Sequence, residues 1–252
     1  MIPRVLVTGA GGLLGRACVA QGAVGLDRAA CDVTSISDLD RALRTIRPDA
    51  VIFCAAYTDV DTADSPDAWR VNVDAPAKWA ERVPTWLVSS NFVFSGVGPH
   101  GLEDEPAPVQ AYGQQKLAAE AAVSAAGGSV VRTGWLYGAG GSNFPSTLPR
   151  RLRSGPVRAI ADTPVQPTYA ADLAQYLLSL PKGVSHAVGS EETTWYMFAR
   201  AVAEMLEIDA HIDPIEGETL NADARRPSDG RLVPALLPGW TTRLSAFLGA
   251  EE

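Results

Sequence analysis

The chain has 252 residues, enough for one large domain or for one domain with a small lobe. Hydrophobic residues make up 46% and charged residues 20%, an ordinary globular balance, and no apolar run approaches the roughly 20 residues that a membrane helix needs. Lys and Arg total 21 against 29 Asp and Glu, a formal net charge of −8, which argues against nucleic acid or an anionic membrane as a partner.

The N-terminus runs directly into a strand-like segment, Arg4–Thr8, and does not read as a secretory signal. Further strands are expected at Ala23–Asp27, Ala50–Phe53, Trp86–Ser89 and Ser129–Arg132. Helical patterns separate them at Leu13–Ala20, Ile36–Ile46, Ala68–Glu81 and Gln114–Ala126. Short apolar strands alternating with helices predict a parallel sheet covered on both faces, and right-handed crossovers make it doubly wound. After Arg132 glycines and prolines loosen the pattern, and helices resume near Ala170–Leu180 and Thr194–Leu206, with a short helix and a charged tail at the end. The expected α/β organisation is a Rossmann-type dinucleotide-binding domain over residues 1–138. Residues 139–252 mainly form a smaller substrate-binding lobe, with the chain crossing between the two.

The strongest local signal is Val5-Leu6-Val7-Thr8-Gly9-Ala10-Gly11-Gly12-Leu13-Leu14-Gly15. It is a strand, a glycine turn and the start of a helix. A pyrophosphate needs close backbone approach and free N–H groups at a helix N-terminus. Gly9 permits the tight turn, Gly12 removes a Cβ from the ligand's path, and Gly15 lets the helix approach the strand. Asp27 ends the second strand where an acidic group meets the adenosine ribose, and Arg28 follows it. Asp suits the 2′-hydroxyl of NAD and Arg the 2′-phosphate of NADP, so both cofactors stay open. Asp32-Val33-Thr34 is placed under the adenine. Small residues in Cys54-Ala55-Ala56-Tyr57-Thr58 let a strand end approach the nicotinamide ribose. Either segment also reads as a plain strand terminus.

Tyr112-Gly113-Gln114-Gln115-Lys116 opens a helix and sets phenol and ammonium on one face. A fixed cation favours the phenolate and lowers the phenol's pKa, which makes Tyr112 a usable acid for a carbonyl oxygen. Lysine is scarce, occurring only at Lys78, Lys116 and Lys182. Ser89-Ser90 ends the preceding strand and offers a hydroxyl to the same carbonyl. Cys18, Cys31 and Cys54 are too scattered for a disulfide framework and imply reduced thiols in the cytoplasm. His100, His186 and His211 are far apart, and no metal is expected.

With these residues in place, the chain resembles the extended short-chain dehydrogenase/reductases, and more closely the dTDP-4-dehydrorhamnose reductase family. The matching stretches run from Val5 to about Leu232. They include Thr8–Gly15, Arg47–Ile52, Ala55–Asp61, Asn72–Ala77, Tyr112–Glu120, Arg132–Gly138 and Asn143-Phe144. Pro167-Thr168, Asp172–Ala174, Thr194–Tyr196 and Arg225–Pro227 continue the series. The resemblance implies a catalytic set of Ser90, Tyr112 and Lys116. It places Gly12, Leu13, Leu14, Asp27, Asp32, Val33, Ala56, Tyr57 and Thr58 at the cofactor, and Asn91, Phe92, Trp135, Arg225 and Arg226 near the substrate. Where the family has Ser-Thr-Asp-Tyr-Val-Phe, this chain has Ser89-Ser90-Asn91-Phe92-Val93-Phe94, and Gly134 replaces a serine.

The function so implied is reduction of the 4-keto group of a nucleotide-linked 4-keto-6-deoxyhexose by NADPH or NADH, with dTDP-4-dehydro-L-rhamnose as the default substrate. A nucleotide-binding regulatory subunit without turnover is the alternative from another class, and a sugar-nucleotide epimerase or dehydratase is a third. A nucleotide sugar is the expected partner, and the reading is compatible with a homodimer.

Overall fold

The computed structural model describes residues 3–140, 142–219 and 224–249. β1 (Val5–Thr8), α1 (Leu13–Ala20), β2 (Val24–Leu26), α2 (Ile36–Ile46) and β3 (Ala50–Phe53) alternate as the apolar runs predict. β1 and β3 are buried at every position. Both lie inside a parallel sheet covered on both faces, where each side chain meets protein whichever way it points. Ser35 caps α2 by accepting a hydrogen bond from the Asp38 N–H, and Arg47 closes it in the left-handed region with φ 49°.

The segment expected as one helix at Ala68–Glu81 is three pieces. α3 (Pro66–Trp69) leads into a π-helical turn at Arg70–Asp74, and α4 (Ala75–Ala80) follows. Pro76 has no N–H to give the Asn72 carbonyl, so the ladder slips by one residue and the Ala75 N–H bonds Arg70 instead. The wider turn leaves Asn72 buried.

β4 (Thr85–Ser90), α5 (Ala111–Ala125) and β5 (Ser129–Thr133) complete the alternation. β6 (Leu136–Tyr137), α6 (Phe144–Ser154), β7 (Val157–Ile160) and β8 (Thr168–Tyr169) come next. α7 (Ala170–Leu178), β9 (Val184–His186), α8 (Trp195–Met205), β10 (Ile212–Ile215) and α9 (Trp240–Gly249) follow. The main sheet is parallel with order β2-β1-β3-β4-β5-β9. β9 therefore returns from the second half of the chain to the edge of the first. β7 with β10, and β6 with β8, form two short parallel pairs.

Two apolar layers sandwich the main sheet. Leu39, Trp79, Ala119 and Val123 cover one face, and Leu14, Cys18, Leu173 and Leu177 cover the other. A separate core of Leu148, Leu152, Phe198, Val202 and Phe247, with Trp195 and Trp240, holds the later elements together. Gly15 is required at the crossing of α1 over the glycine turn, because a Cβ there would lie 2.2 Å from the Gly9 carbonyl oxygen.

His186 ends β9 fully buried. Its Nδ1 lies 2.9 Å from the Val233 carbonyl and acts as donor, and its Nε2 faces the Arg132 guanidinium at 3.5 Å as acceptor. Burial first, and then the nearby Arg132 and His100, hold its pKa down to about 4, against the opposing pull of the Val233 carbonyl and Asp104. The unfolded chain takes up this proton near pH 6.5, so the folded state loses stability as pH falls from 6.5 towards 4. The slope reaches about 1.4 kcal/mol per pH unit for a single site. Urea denaturation at stepped pH should show this slope in the natural chain and a flatter profile in His186→Leu. Equal slopes would assign the acid sensitivity elsewhere.

Candidate active site

Five elements meet at the C-terminal end of the main sheet: β1 with α1, β3, β4, and the start of α5. Gly9 turns with φ +69° and lies so close to the third strand's end that a Cβ would sit 2.8 Å from the Ala55 nitrogen. The Thr8 hydroxyl accepts from that same Ala55 N–H at 3.3 Å. The glycine turn and the Ala55–Thr58 segment thus form one surface. Gly12 precedes α1 with φ −80° and ψ 170°, and no side chain caps the helix there. No acidic side chain occupies the first turn. The N–H groups of an uncapped helix N-terminus carry partial positive charge and seek an anion. A Cβ on Gly12 would meet only the Gly9 carbonyl, at 3.3 Å, so protein leaves the approach open. These features fit a dinucleotide pyrophosphate.

Tyr112 lies in the first turn of α5, and Lys116 one turn later. Gln110 starts the helix, its side-chain oxygen accepting from the Gly113 N–H. Gly113 is obligatory, because a Cβ there would fall 2.1 Å from the Phe92 carbonyl oxygen. That close approach sets the Tyr112 turn against the 3₁₀ turn Asn91–Val93 that follows β4. Lys116 is 3% exposed, donates to the Val88 carbonyl at 3.0 Å, and has its Nζ 5.8 Å from the centre of the Tyr112 ring. Burial pushes Lys116 down to about 8, opposed by the charges of Cys54 and Glu120. Burial pushes the half-buried Tyr112 phenol up to about 12, and a hydrogen bond with Ser90 works the other way.

The expectation that Lys116 lowers the Tyr112 pKa is therefore corrected for this structure. Desolvation disfavours the phenolate more than its neighbours favour it. The consequence is chemical: Tyr112 holds its proton throughout the neutral range and can give it up only to a strongly basic oxygen. Ser90 is buried, accepts from the Phe92 N–H at 3.2 Å and donates to Asn91 Oδ1 at 3.3 Å.

Sequence reasoning missed the polar residues that hold these groups. Asn72 takes both backbone groups of Tyr57, accepting from its N–H at 2.8 Å and donating to its carbonyl at 3.1 Å. Asn72 also donates to Gln115 on α5 at 2.7 Å, and Gln115 donates to the Ala63 carbonyl at 2.7 Å. Arg132 chelates Glu120 at 2.8–3.1 Å, and Ser89 donates to the same carboxylate. Spacing alone carried a signal: Gln115 lies within the Tyr-x-x-x-Lys segment and Glu120 one turn beyond it, and polar side chains on a sheet-facing helix surface need partners.

The other expected site residues scatter more widely. Asp27 lies beyond the glycine turn and accepts from the Ala30 N–H at 2.9 Å. Arg28 is exposed and makes no ion pair among the described residues. Asp32 is spent on Thr34, accepting from its N–H and hydroxyl, and the Val33 carbonyl accepts from Trp79. Leu13 faces the Gly138 loop, while Leu14 is buried in the core. Asn91, expected beside the substrate, is 2% exposed and turned away. Its amide donates to the Gly230 carbonyl at 2.9 Å and fills the space that a side chain on Gly134 would need.

Phe92 does face the site, edge-on to both Tyr112 and Trp135 with ring centres 6.0 Å apart in each case. Trp135 adopts φ 55°, costly for a non-glycine residue, and its buried indole N–H has no partner among the described residues. Trp195 and Phe144 extend this aromatic wall. Arg226 pairs bidentately with Asp61 at 2.8 and 2.9 Å, holding the Asp61 carboxyl down to about 2. Arg225 is exposed.

A doubly wound sheet, an uncapped glycine turn, and Ser90, Tyr112 and Lys116 converging beside it define an NAD(P)H-dependent oxidoreductase of the extended short-chain dehydrogenase/reductase type. The chain belongs to the family described as the RmlD substrate binding domain, whose model matches residues 3–238. It is 37% identical to the dTDP-4-dehydrorhamnose reductase of Mycobacterium tuberculosis, over 98% of this chain and 93% of that one. It is 35% identical to a probable dTDP-4,6-dihydroxy-2-methyloxan-3-one 4-ketoreductase of Streptomyces antibioticus, over 89% and 85%. The crystal structure of dTDP-4-dehydrorhamnose reductase from Bacillus anthracis in complex with NADP superposes with a TM-score of 0.90. It is 28% identical, with 98% of this chain and 99% of that one covered. No helix among the described residues is long and apolar enough to cross a membrane.

The two glycines of the turn should separate in behaviour. Gly12→Ala should weaken NADPH affinity at least tenfold with a melting temperature close to that of the natural chain, if the pyrophosphate sits at this turn, because its Cβ meets protein only at the Gly9 carbonyl, 3.3 Å away. Gly15→Ala should destabilise the fold itself by roughly 1–3 kcal/mol, as overpacking does. Calorimetry and cofactor titration check both, and unchanged affinity in Gly12→Ala would move the pyrophosphate elsewhere.

Proposed function

We propose that the protein reduces the 4-keto group of a nucleotide-linked 4-keto-6-deoxyhexose, with dTDP-4-dehydro-L-rhamnose as the first substrate to test. The observation that carries this reading is a protonated phenol, a buried ammonium and a strand-end hydroxyl gathered beside the glycine turn. The named relatives from Mycobacterium and Streptomyces both act on dTDP-linked keto sugars, which favours the same substrate class here.

When bound, NADPH or NADH supplies the hydride. The residues of this chain do the rest. Ser90 orients the carbonyl oxygen, and Tyr112 gives it a proton as negative charge develops there. A phenol pushed up to about 12 keeps that proton until the oxygen becomes the stronger base. Lys116 stands behind the phenol and stabilises the phenolate left after transfer, and it also meets the nicotinamide ribose. Gly9, Gly12, Leu13, Leu14 and Gly15 receive the pyrophosphate, and Ala55, Ala56, Tyr57 and Thr58 line the floor beside the ribose. Asp27, Arg28, Asp32 and Val33 receive the adenosine end. Phe92 and Trp135 form the wall against the sugar, with Arg225 and Arg226 on the far side. In this division residues 1–138 hold the cofactor and 139–252 mainly the sugar nucleotide. The three free cysteines suit the cytoplasm.

Two measurements test this reading. Tyr112→Phe should lower kcat on the keto sugar by roughly 10²–10⁴-fold while the protein stays folded and binds cofactor. Near-normal turnover would remove Tyr112 from the reaction, and cofactor binding with no turnover by the natural chain would point to a regulatory subunit. Arg28→Ala should weaken NADPH binding by about 1.5–3 kcal/mol and leave NADH unchanged, the signature of a charge-assisted contact to the 2′-phosphate. Equal effects on both cofactors would make Arg28 a surface residue.

A further inference from the structure

The Glu120–Arg132 pair has no role in the chemistry described so far, yet it lies directly behind it. Both side chains are nearly inaccessible, at 6% and 7% exposure. Arg132 grips the carboxylate through Nε and Nη2, its guanidinium lies 5.0 Å over the Phe94 ring, and Nη1 faces His186 at 3.5 Å. A buried ion pair of this kind gives little net stability, because the Coulombic gain is spent on desolvation. What it does give is geometry. Glu120 is one helical turn beyond Lys116 on α5, so Tyr112, Lys116 and Glu120 share a face. Its carboxylate accepts from Ser89, the residue immediately before Ser90 on β4. Arg132 anchors the same carboxylate from β5, the next strand.

We infer that Glu120 is a positioning residue of the reaction: it fixes the helix that carries Tyr112 and Lys116 against the strand end that carries Ser90, and it supplies the counter-charge behind the Lys116 ammonium. This rests on the catalytic reading of Tyr112 and Lys116 above. The groups facing Lys116 are few. Tyr112 and Glu120 come from its own helix, the Cys54 thiol from the end of β3, and the Val88 carbonyl from β4. Arg132 comes from β5 and is paired with Glu120. Among the described residues Glu120 is thus the one carboxylate that faces Lys116, and its charge opposes the desolvation that drives the lysine towards neutrality.

The test compares the natural enzyme with Ser89→Ala, Glu120→Asp, Glu120→Gln and the double variant Glu120→Gln/Arg132→Met. The single Gln change strands a buried guanidinium and is expected to unfold readily, whereas the double change removes both charges and preserves packing. In the folded double variant kcat should fall roughly ten- to hundredfold with KM for the sugar nucleotide within about threefold, the pattern of lost alignment. The alkaline limb of its pH–rate profile should move to lower pH, by less than in Glu120→Gln, because the Arg132 charge leaves with it. Glu120→Asp keeps the charge and should restore the limb while kcat stays depressed.

A folded double variant with natural kcat and pH profile would reduce Glu120 to a structural role. Should the double variant not fold, Ser89→Ala decides: it cuts only the tie to β4, and an unchanged kcat would equally overturn the inference. A natural enzyme that binds cofactor but turns over no keto sugar would instead fail the catalytic reading itself, a result distinct from an active enzyme indifferent to these changes.

Discussion

The burial of Lys116 is the constraint around which the site is organised. An ammonium at 3% exposure is stable only if the protein replaces its water. Here the Val88 carbonyl accepts its hydrogen bond, and the nearby Cys54 and Glu120 oppose the loss of its charge. α5 must therefore lie at one height and one rotation over the sheet. Gly113 allows the approach to Phe92, Gln115 locks one flank through Asn72, and Arg132 locks the other through Glu120. Once the helix is so placed, Tyr112 has little choice of position. The desolvation that lowers the Lys116 pKa to about 8 also raises that of Tyr112 to about 12, so one physical cause acts on both groups.

The connections outside the helix serve the same end. Asp61 and Arg226 tie the segment after β3 to the C-terminal stretch around Arg226. Arg16, on α1, donates to the Gly11 carbonyl at 2.6 Å and to the Gly140 carbonyl, and so spans from the dinucleotide turn to the loop after β6. The two halves of the chain are thus joined by guanidinium contacts in two places. The marked preference of this sequence for arginine over lysine fits such work, because a planar fork reaches two acceptors at once.

Much of this is legible in the amino-acid sequence. The first-half strands are short apolar runs, and the glycine turn and the Tyr112/Lys116 spacing carry their own chemistry. Legibility fails where the cause is not local. The break in the Ala68–Glu81 helix follows from Pro76 acting on a carbonyl four residues back, and only the tertiary use of Asn72 explains why the slip is kept. Gln115, Glu120 and Arg132 look in sequence like solvated helix and strand polars, since their partners are 12 to 52 residues away. Adjacency to Ser90 does not reveal that Asn91 is buried, accepting from the Ser90 hydroxyl and donating to the Gly230 carbonyl. In the second half the helices expected near Ala170–Leu180 and Thr194–Leu206 are found as α7 and α8, while the two-residue strands β6 and β8 are too short to show a period.

The arrangement of Asn91 with Gly134 and Gly230 bears on how this sequence can change. A Cβ on Gly134 would lie 2.7 Å from Asn91 Oδ1, and one on Gly230 would lie 2.4 Å from Asn91 Nδ2. Neither glycine can gain a side chain while asparagine is present. Asparagine cannot become aspartate without setting a carboxylate against the Gly230 carbonyl that now accepts its N–H. The three positions are therefore coupled: a side chain gained at either glycine, or a charge gained at 91, must be accommodated by the other two.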